Sequence, residues 1–149
     1  MSVQAPEYSI AITRQVNAAS REIYAAWTDP TKMGCWLGKV AADLCVGGRY
    51  RFESPAEGGK THVYTGEYLI LEEGRRVVQS FLAGEPDPTA NPYANEFLEI
   101  RVRELGQAHS EVTFINGWDG EAISEDFRRV ALAAWSEWLD RMEKCVLER

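Results

Sequence analysis

The stretch EAISEDFRRVALAAWSEWLDRMEKCV, residues 121–146, decides the fold of this chain. Its central residues recur at three- and four-residue steps and therefore form one stripe along a helix: Ala131, Trp135, Trp138, Met142 and Cys145. Phe127, Val130 and Ala134 widen this stripe to a broad apolar face. Ser124 is placed to cap the helix. A helix with two tryptophans on one face must pack against a large apolar surface, so we expect the rest of the chain to form a sheet.

Composition limits the classes of protein and partner. The chain has 149 residues, 45% of them hydrophobic, which is enough for a single domain with a real core. Its net charge of −7 repels phosphate, so we expect neither nucleic acid nor a membrane surface as a partner. No apolar run approaches the ~20 residues of a membrane span, and the first residues lack an export signal. We therefore predict a cytoplasmic protein.

The cysteines are three in number and far apart in the sequence. Cys35, Cys45 and Cys145 form neither a C-x-x-C motif nor a cluster with histidine. We expect separate thiols in a reducing compartment, with Cys145 in the core because it lies on the apolar stripe.

The stretch that precedes the long helix is typical of a curved antiparallel sheet with two short helices. Apolar residues alternate with polar ones, which predicts strands over residues 8–16, 40–44, 49–53, 61–71, 76–82, 96–104 and 111–118. Short helices are predicted over 20–27 and from Pro30, which follows the capping residue Asp29, to the stop at Gly38. We predict an α+β fold of about seven strands, one domain over residues 1–149 with an ordered core of about 8–147.

Three passages carry a resemblance to a known family. They are ITR at 12–14 with TDPTK at 28–32 and CW at 35–36, DLCVGGRYRF at 43–52, and YTGEYLIL at 64–71 with RRVV at 75–78. The chain resembles the homologues of the activator of the heat-shock-protein-ninety ATPase, within the START-like, birch-allergen-like superfamily called SRPBCC. The resemblance implies a helix-grip fold, in which a curved sheet closes around the C-terminal helix. One departure is Ala19, where the family usually has proline.

The resemblance also implies a cavity for an apolar or aromatic small molecule between the sheet and the C-terminal helix. We expect large apolar side chains to form its walls: Trp36, Tyr50, Phe52, Tyr68, Phe81, Phe114, Trp118, Phe127, Ala131 and Trp135. The alternative is that these rings simply fill the core. The inward face of residues 61–71 stays open, because Tyr64, Gly66, Tyr68 and Ile70 compete with Val63, Thr65, Leu69 and Leu71.

No catalytic constellation stands out. His62 and His109 each lie near a turn with no partner that would set a tautomer, so we interpret both as exposed. Glu67 and Glu99 lie within strands, and either would become a candidate acid or base if it faced the cavity. We expect both to face water instead. We predict no metal, no cofactor and no catalytic residue.

Three functions therefore compete. The first is a protein that binds a small apolar or aromatic molecule. The second is an enzyme of the polyketide cyclase, aromatase or hydrolase kind that uses the same cavity. The third is a co-chaperone-like interaction domain. The sheet edges and the proline-rich loop over residues 84–95 could support a homodimer, and that loop could cover the cavity.

Overall fold

A curved antiparallel sheet and three helices make up the computed structural model, which describes residues 5–55, 57–84 and 93–148. The elements follow in this order: β1 (Tyr8–Val16), α1 (Ser20–Thr28), α2 (Pro30–Leu37), β2 (Lys39–Ala42), β3 (Arg49–Pro55), a 3-10 turn (Glu57–Gly59), β4 (Thr61–Glu72), β5 (Arg76–Ser80), β6 (Leu82–Ala83), β7 (Tyr93–Gly106), β8 (His109–Gly120) and α3 (Glu125–Leu147). The sheet order is β1-β8-β7-β5-β4-β3-β2, with β6 paired to β4. The predicted α+β helix-grip fold is confirmed.

The long helix α3 forms where the periodicity predicts it, although it begins at Glu125 rather than near residue 121. Its cap is the expected one, because the Ser124 side chain accepts a hydrogen bond from the Phe127 backbone N–H at 3.1 Å. Met142 is buried, and Trp135, Trp138 and Cys145 pack against the core, so the predicted stripe does face the sheet.

The two short helices are separated at Asp29 and Pro30, as the sequence predicts. Asp29 ends α1 and caps α2, since its carboxylate accepts a hydrogen bond from the Thr31 backbone N–H at 3.0 Å. Gly38 ends α2 with φ of 104°, and a Cβ there would lie 2.2 Å from the Glu53 carbonyl oxygen. A residue with a side chain could not make this close turn into β2.

A bulge in β4 answers the open question of its inward face. The register with β5 shifts between Tyr68 and Ile70, so one residue is inserted there. Tyr64 and Tyr68 face the helices before the bulge, and Leu71 faces them after it. Each of the two competing sets was therefore right for one part of the strand.

A disulfide overturns the expectation of separate thiols. Cys35 in α2 is bonded to Cys145 in α3, across a sequence separation of 110, and Cys45 remains a free exposed thiol. The two cysteines lie far apart in the sequence but meet because α2 packs against the C-terminal turns of α3. We inferred a reducing compartment from separate thiols, so that inference no longer has support. The cytoplasmic location stays a prediction.

The strand predicted over 76–82 is divided in two. Phe81 interrupts it, leaving β5 on one side and the two-residue β6 on the other. The loop predicted over residues 84–95 falls mostly on residues 85–92, which lie outside the described residues. Its last three residues, from Tyr93, belong to β7.

Candidate functional site

A cleft of about 710 Å³ opens where β4 changes partners. β4 pairs with β6 at Tyr64 and Thr65 and with β5 from Tyr68 onward, so Gly66 lies at the division. A Cβ at Gly66 would lie 1.9 Å from the Ser80 carbonyl oxygen, which explains the glycine. The volume is within the range of about 300–1,000 Å³ that is typical of small-molecule sites.

Residues of both sheet faces line this cleft. Tyr50, Phe81 and Glu96 reach it from the helix-facing side, and Arg51 and Thr65 reach it from the solvent-facing side. Phe81 also contacts the long helix, with its ring centroid 5.5 Å from that of Trp135. Phe81 therefore lies between the cleft and the aromatic side chains beneath α3.

Glu96 is the acidic group of the helix-facing side. It is half-buried at the start of β7, and its Oε2 accepts a hydrogen bond from Asn116 Nδ2 at 3.0 Å. Asn116, itself buried, also donates to the Phe97 carbonyl at 3.3 Å. Burial raises the pKa of the Glu96 carboxyl, and the Asn116 hydrogen bond only partly offsets this. Glu96 can therefore hold a proton at a higher pH than an exposed glutamate.

Two further polar side chains lie near Glu96 on the helix-facing surface. The Tyr50 hydroxyl donates to the Ser80 carbonyl at 2.6 Å, and burial raises its pKa far above its usual range. The Gln79 side chain hydrogen-bonds to Tyr50, yet its buried Oε1 has no partner among the described residues. Glu96, Asn116, Tyr50 and Gln79 together form a polar cluster. An unpaired buried oxygen lowers the stability of a fold, so Gln79 in this cluster calls for an explanation.

Glu99, the second buried glutamate, differs from Glu96 because it is paired with two arginines. Glu99 lies on the opposite face of β7, where its Oε2 accepts hydrogen bonds from Arg101 at 2.6 Å and Arg76 at 2.7 Å. Burial alone would raise the pKa of this carboxyl, but the two guanidinium groups lower it on balance. Glu99 is 5% exposed, so the expectation that it faces water is wrong, and two arginines rather than solvent stabilise its charge. Glu67, the other glutamate of that expectation, lines the cleft.

The ten expected wall residues separate into three groups. Tyr50 and Phe81 line the described cleft. Five others lie buried in the aromatic core or at its edge: Trp36, Phe52, Tyr68, Phe114 and Trp118. The three in α3 are less buried, with Ala131 and Trp135 intermediate and Phe127 half exposed. A ligand role for any of the ten remains a prediction.

Trp118, at the end of the inward row of β8, has a local hydrogen-bond partner. Trp118 Nε1 donates to the Glu121 carbonyl at 2.8 Å, which fixes the turn into α3. His62 is exposed at the start of β4, as expected. His109 is half-buried instead, with Nδ1 2.9 Å from Asn17 Oδ1 and Nε2 3.1 Å from Gln15 Oε1, so the expectation of an exposed histidine without a partner is wrong there. Among the described residues, no group of histidine, cysteine and acidic side chains is placed to hold a metal.

Sequence reasoning missed Glu96 and Gln79, although a signal for each was present. Glu96 lies two residues before Leu98, and Gln79 lies two residues after Val77, so each shares the parity of an inward apolar residue. A polar residue in phase with an inward row indicates a functional position. We overlooked Glu96 and Gln79 because we considered only the apolar residues of each inward row.

The family follows from a comparison with family models. The one described as "Activator of Hsp90 ATPase homolog 1-like protein" matches residues 17–146. The chain belongs to this family. The resemblance read from the three sequence passages is thereby confirmed. No curated protein sequence matches the chain.

Solved structures show the same fold at low sequence identity. CV1439 from Chromobacterium violaceum is 21% identical with a TM-score of 0.76, over 95% of this chain and 99% of that one. The Aha1 dimer from Colwellia psychrerythraea is 14% identical with a TM-score of 0.70, over 93% and 96%. DynU16, from the dynemicin biosynthetic locus, is 16% identical with a TM-score of 0.71, over 93% and 47%.

Within the described ranges, none of the helices has the length and apolar character needed to cross a membrane.

Proposed function

We propose that this chain binds a small molecule with an aromatic or other apolar body and one hydrogen-bonding group. The observation that carries the proposal is Glu96, a half-buried carboxyl with a raised pKa, at the wall of a cleft of about 710 Å³. A concave site with few convergent polar groups is the usual form of a small-molecule site. The polar group of the ligand meets Glu96, and its apolar body lies against Phe81, toward Trp135.

The energetics of the polar cluster support this proposal. Asn116, Gln79 and Tyr50 occupy a surface whose other members are apolar and buried. Each polar group that a fold buries costs stability unless it is hydrogen-bonded, and the Gln79 oxygen is not bonded by any described group. An unpaired buried oxygen calls for an explanation, and a ligand that pairs it is the one this proposal supplies.

The family and the fold add coarser support. Helix-grip folds enclose a surface between sheet and helix, and DynU16, which shares this fold, belongs to the dynemicin biosynthetic locus. That locus is a setting of small-molecule chemistry, which agrees with a ligand-binding role for the present chain.

The first test asks whether the purified protein carries a ligand. Native mass spectrometry of protein prepared without additions should show an adduct that can be extracted and identified. If the protein is empty, 2-naphthol and naphthalene serve as matched probes, read by quenching of tryptophan fluorescence. We expect 2-naphthol to bind about tenfold more tightly, since a hydrogen bond to a charged or partly buried group adds about 1.5 kcal/mol.

The matched variants separate the polar contact from the apolar one. Glu96→Ala should remove the preference for the hydroxylated probe while leaving naphthalene binding within about twofold. Glu104→Gln, in the same strand but exposed, is the control and should change neither affinity. An empty protein that binds neither probe would contradict the proposal and favour a filled core.

Acid–base catalysis in the same cleft is a second role that the raised pKa of Glu96 favours. It would turn the binding protein into an enzyme of the cyclase, aromatase or hydrolase kind. The test is to incubate the extracted ligand with the protein and to follow its mass. Turnover that Glu96→Gln abolishes, while binding persists, would establish this role; unchanged ligand would reject it.

A homodimer is the protein partner that the surface favours. Phe127 and Val130 are 50% and 65% exposed and lie three residues apart on one side of α3. The Aha1 structure with the same fold is described as a dimer. We expect analytical ultracentrifugation to show a dimer that Val130→Asp dissociates and that Leu44→Asp, at an exposed position between β2 and β3, does not. A monomer at all concentrations would reject the homodimer and leave these residues to the co-chaperone-like role.

A further inference from the structure

The bond between Cys35 and Cys145 joins α2 to α3, two helices that are far apart in the sequence. Cys35 is in the last turn of α2 and is exposed, whereas Cys145 is in the last turn of α3 and is half-buried. Disulfides in cores are shielded from attack, and exposed ones exchange with external thiols. The exposure of Cys35 therefore makes access to this bond the first question.

A small depression leads to the bond. It measures about 250 Å³, and both cysteines line it. A water occupies about 30 Å³ of liquid, so the depression has room for the sulfur-bearing end of a small thiol. Lys32 and Glu148 also line it, which places one cation and one anion beside the two sulfur atoms.

The positions of these charges favour an anionic thiol arriving at Cys35. Lys32 is three residues before Cys35 on α2, so the two side chains emerge on the same side of the helix. A lysine beside a cysteine stabilises the thiolate form and attracts an incoming thiolate. Glu148 lies beyond the end of α3, nearer in sequence to Cys145.

We propose that Cys35–Cys145 is a thiol–disulfide exchange site for a small anionic thiol of the glutathione class. The thiolate attacks Cys35 Sγ and forms a mixed disulfide there. The sulfur–sulfur bond of the protein breaks, and its electron pair leaves on Cys145 Sγ, which takes a proton from solvent. A second thiolate attacks the small-molecule sulfur of the mixed disulfide and releases Cys35. In total, two small thiols are oxidised to one disulfide and the protein bond is reduced to two thiols.

Reduction has a defined structural consequence. The bond fastens the last turns of α3 to α2, and these turns also hold the buried Met142 and Val146. Without the bond, the C-terminal turns of α3 remain packed but lose their covalent attachment. Exchange at this site therefore changes the opening frequency of the end of α3 while the rest of the fold stays intact.

The experiment uses the full chain with Cys45→Ser, so that the pair contains the only cysteines. The oxidised protein is mixed with reduced glutathione in native buffer, quenched with N-ethylmaleimide and weighed intact over time. We expect reduction at least about tenfold faster than global unfolding, the rate of which comes from denaturant-jump fluorescence. Peptide mapping should find the mixed disulfide on Cys35.

Controls decide each part of the proposal. Lys32→Gln should slow reduction by glutathione about two- to threefold and leave reduction by the neutral thiol 2-mercaptoethanol unchanged. Hydrogen exchange should show faster exchange of the backbone amides of residues 142–147 in the reduced protein. The proposal is overturned if reduction proceeds only as fast as unfolding, if the adduct is on Cys145 alone, or if protein refolded under oxidising conditions keeps two free thiols.

Discussion

The two halves of α3 are equally regular as helix but differ in burial. Leu139, Met142 and Val146, all in the second half, are 1–4% exposed. Phe127 and Val130, in the first half, are 50% and 65% exposed. Both halves carry apolar residues at helical spacing, so periodicity alone does not distinguish them.

The difference extends to the bonds that hold each half. The second half is tied to α2 by the disulfide and to β1 by Arg14, whose guanidinium reaches Asp140 at 2.5 Å and the Ser136 carbonyl at 3.0 Å. The first half has its cap and a hydrogen bond from Arg128 to the Ser9 carbonyl at 3.2 Å. The second half is therefore the anchor of the helix, and the first half extends from it.

The largest effect should come from the packing of the anchor. Leu139→Ala removes a fully buried side chain, so we expect a loss of about 2–5 kcal/mol in the free energy of unfolding. Val130→Ala, in the exposed first half, should stay within about 0.5 kcal/mol. Urea denaturation measures both. Equal losses would show that the first half packs against something in solution, which the homodimer predicts.

Loss of the Cys35–Cys145 disulfide should have the second largest effect on the free energy of unfolding. Cys145→Ser in the Cys45→Ser background is expected to lower the free energy of unfolding by about 2–4 kcal/mol, because the bond closes a long loop in the unfolded chain. Cys45→Ser alone should have almost no effect, since this thiol is free and exposed. Guanidinium denaturation without reductant is the measurement, and an unchanged midpoint for Cys145→Ser would contradict the prediction.

The ionic tie to β1 should contribute less. Arg14→Ala removes hydrogen bonds to charged and backbone groups on α3, and we expect a loss of about 1–2 kcal/mol. Arg103→Ala is the matched control. Arg103 pairs with Glu111 on the exposed face of the sheet, with its side chain 69% exposed, and such pairs contribute about 0–1 kcal/mol. A loss for Arg103→Ala as large as that for Arg14→Ala would remove the distinction between anchor and surface pairs.

The smallest effect is the pH dependence of the polar cluster around Glu96. The pKa of Glu96 is raised in the folded state, so its contribution is fully present below the unfolded pKa and is lost as pH rises through the folded pKa. Glu96→Gln lacks this titration, so the variant should gain stability relative to the wild type as the pH rises above about 4.3, the pKa of an unfolded glutamate.

Glu99→Gln should show the opposite trend. The pKa of Glu99 is lowered, so its stabilising contribution is present above the unfolded pKa and is lost as pH falls through the folded one. Urea denaturation at a series of pH values measures both variants. Parallel curves for the two would contradict the assignment of Glu96 to a desolvated site and Glu99 to a charged one.

Much of the fold could be predicted from local sequence, because local signals decide local structure. The stripe from Ala131 to Cys145 predicted α3, and Asp29 and Ser124 cap helices as expected. Alternation predicted β1 to the residue, since an edge strand with one wet face keeps a strict period of two. These features depend on residues at most a few positions apart, and on a family resemblance carried by contiguous passages.

The candidate site could not be predicted in the same way. Tertiary contacts decided that Cys35 meets Cys145, that a bulge after Tyr68 changes the inward face of β4, and that Glu96 enters the cleft. The exposure of Phe127 belongs with these. The sequence by itself determined which residues share a face, because periodicity alone decides that. Whether that face is covered depends on surfaces distant along the chain, and only the packing of helices on the sheet decides that.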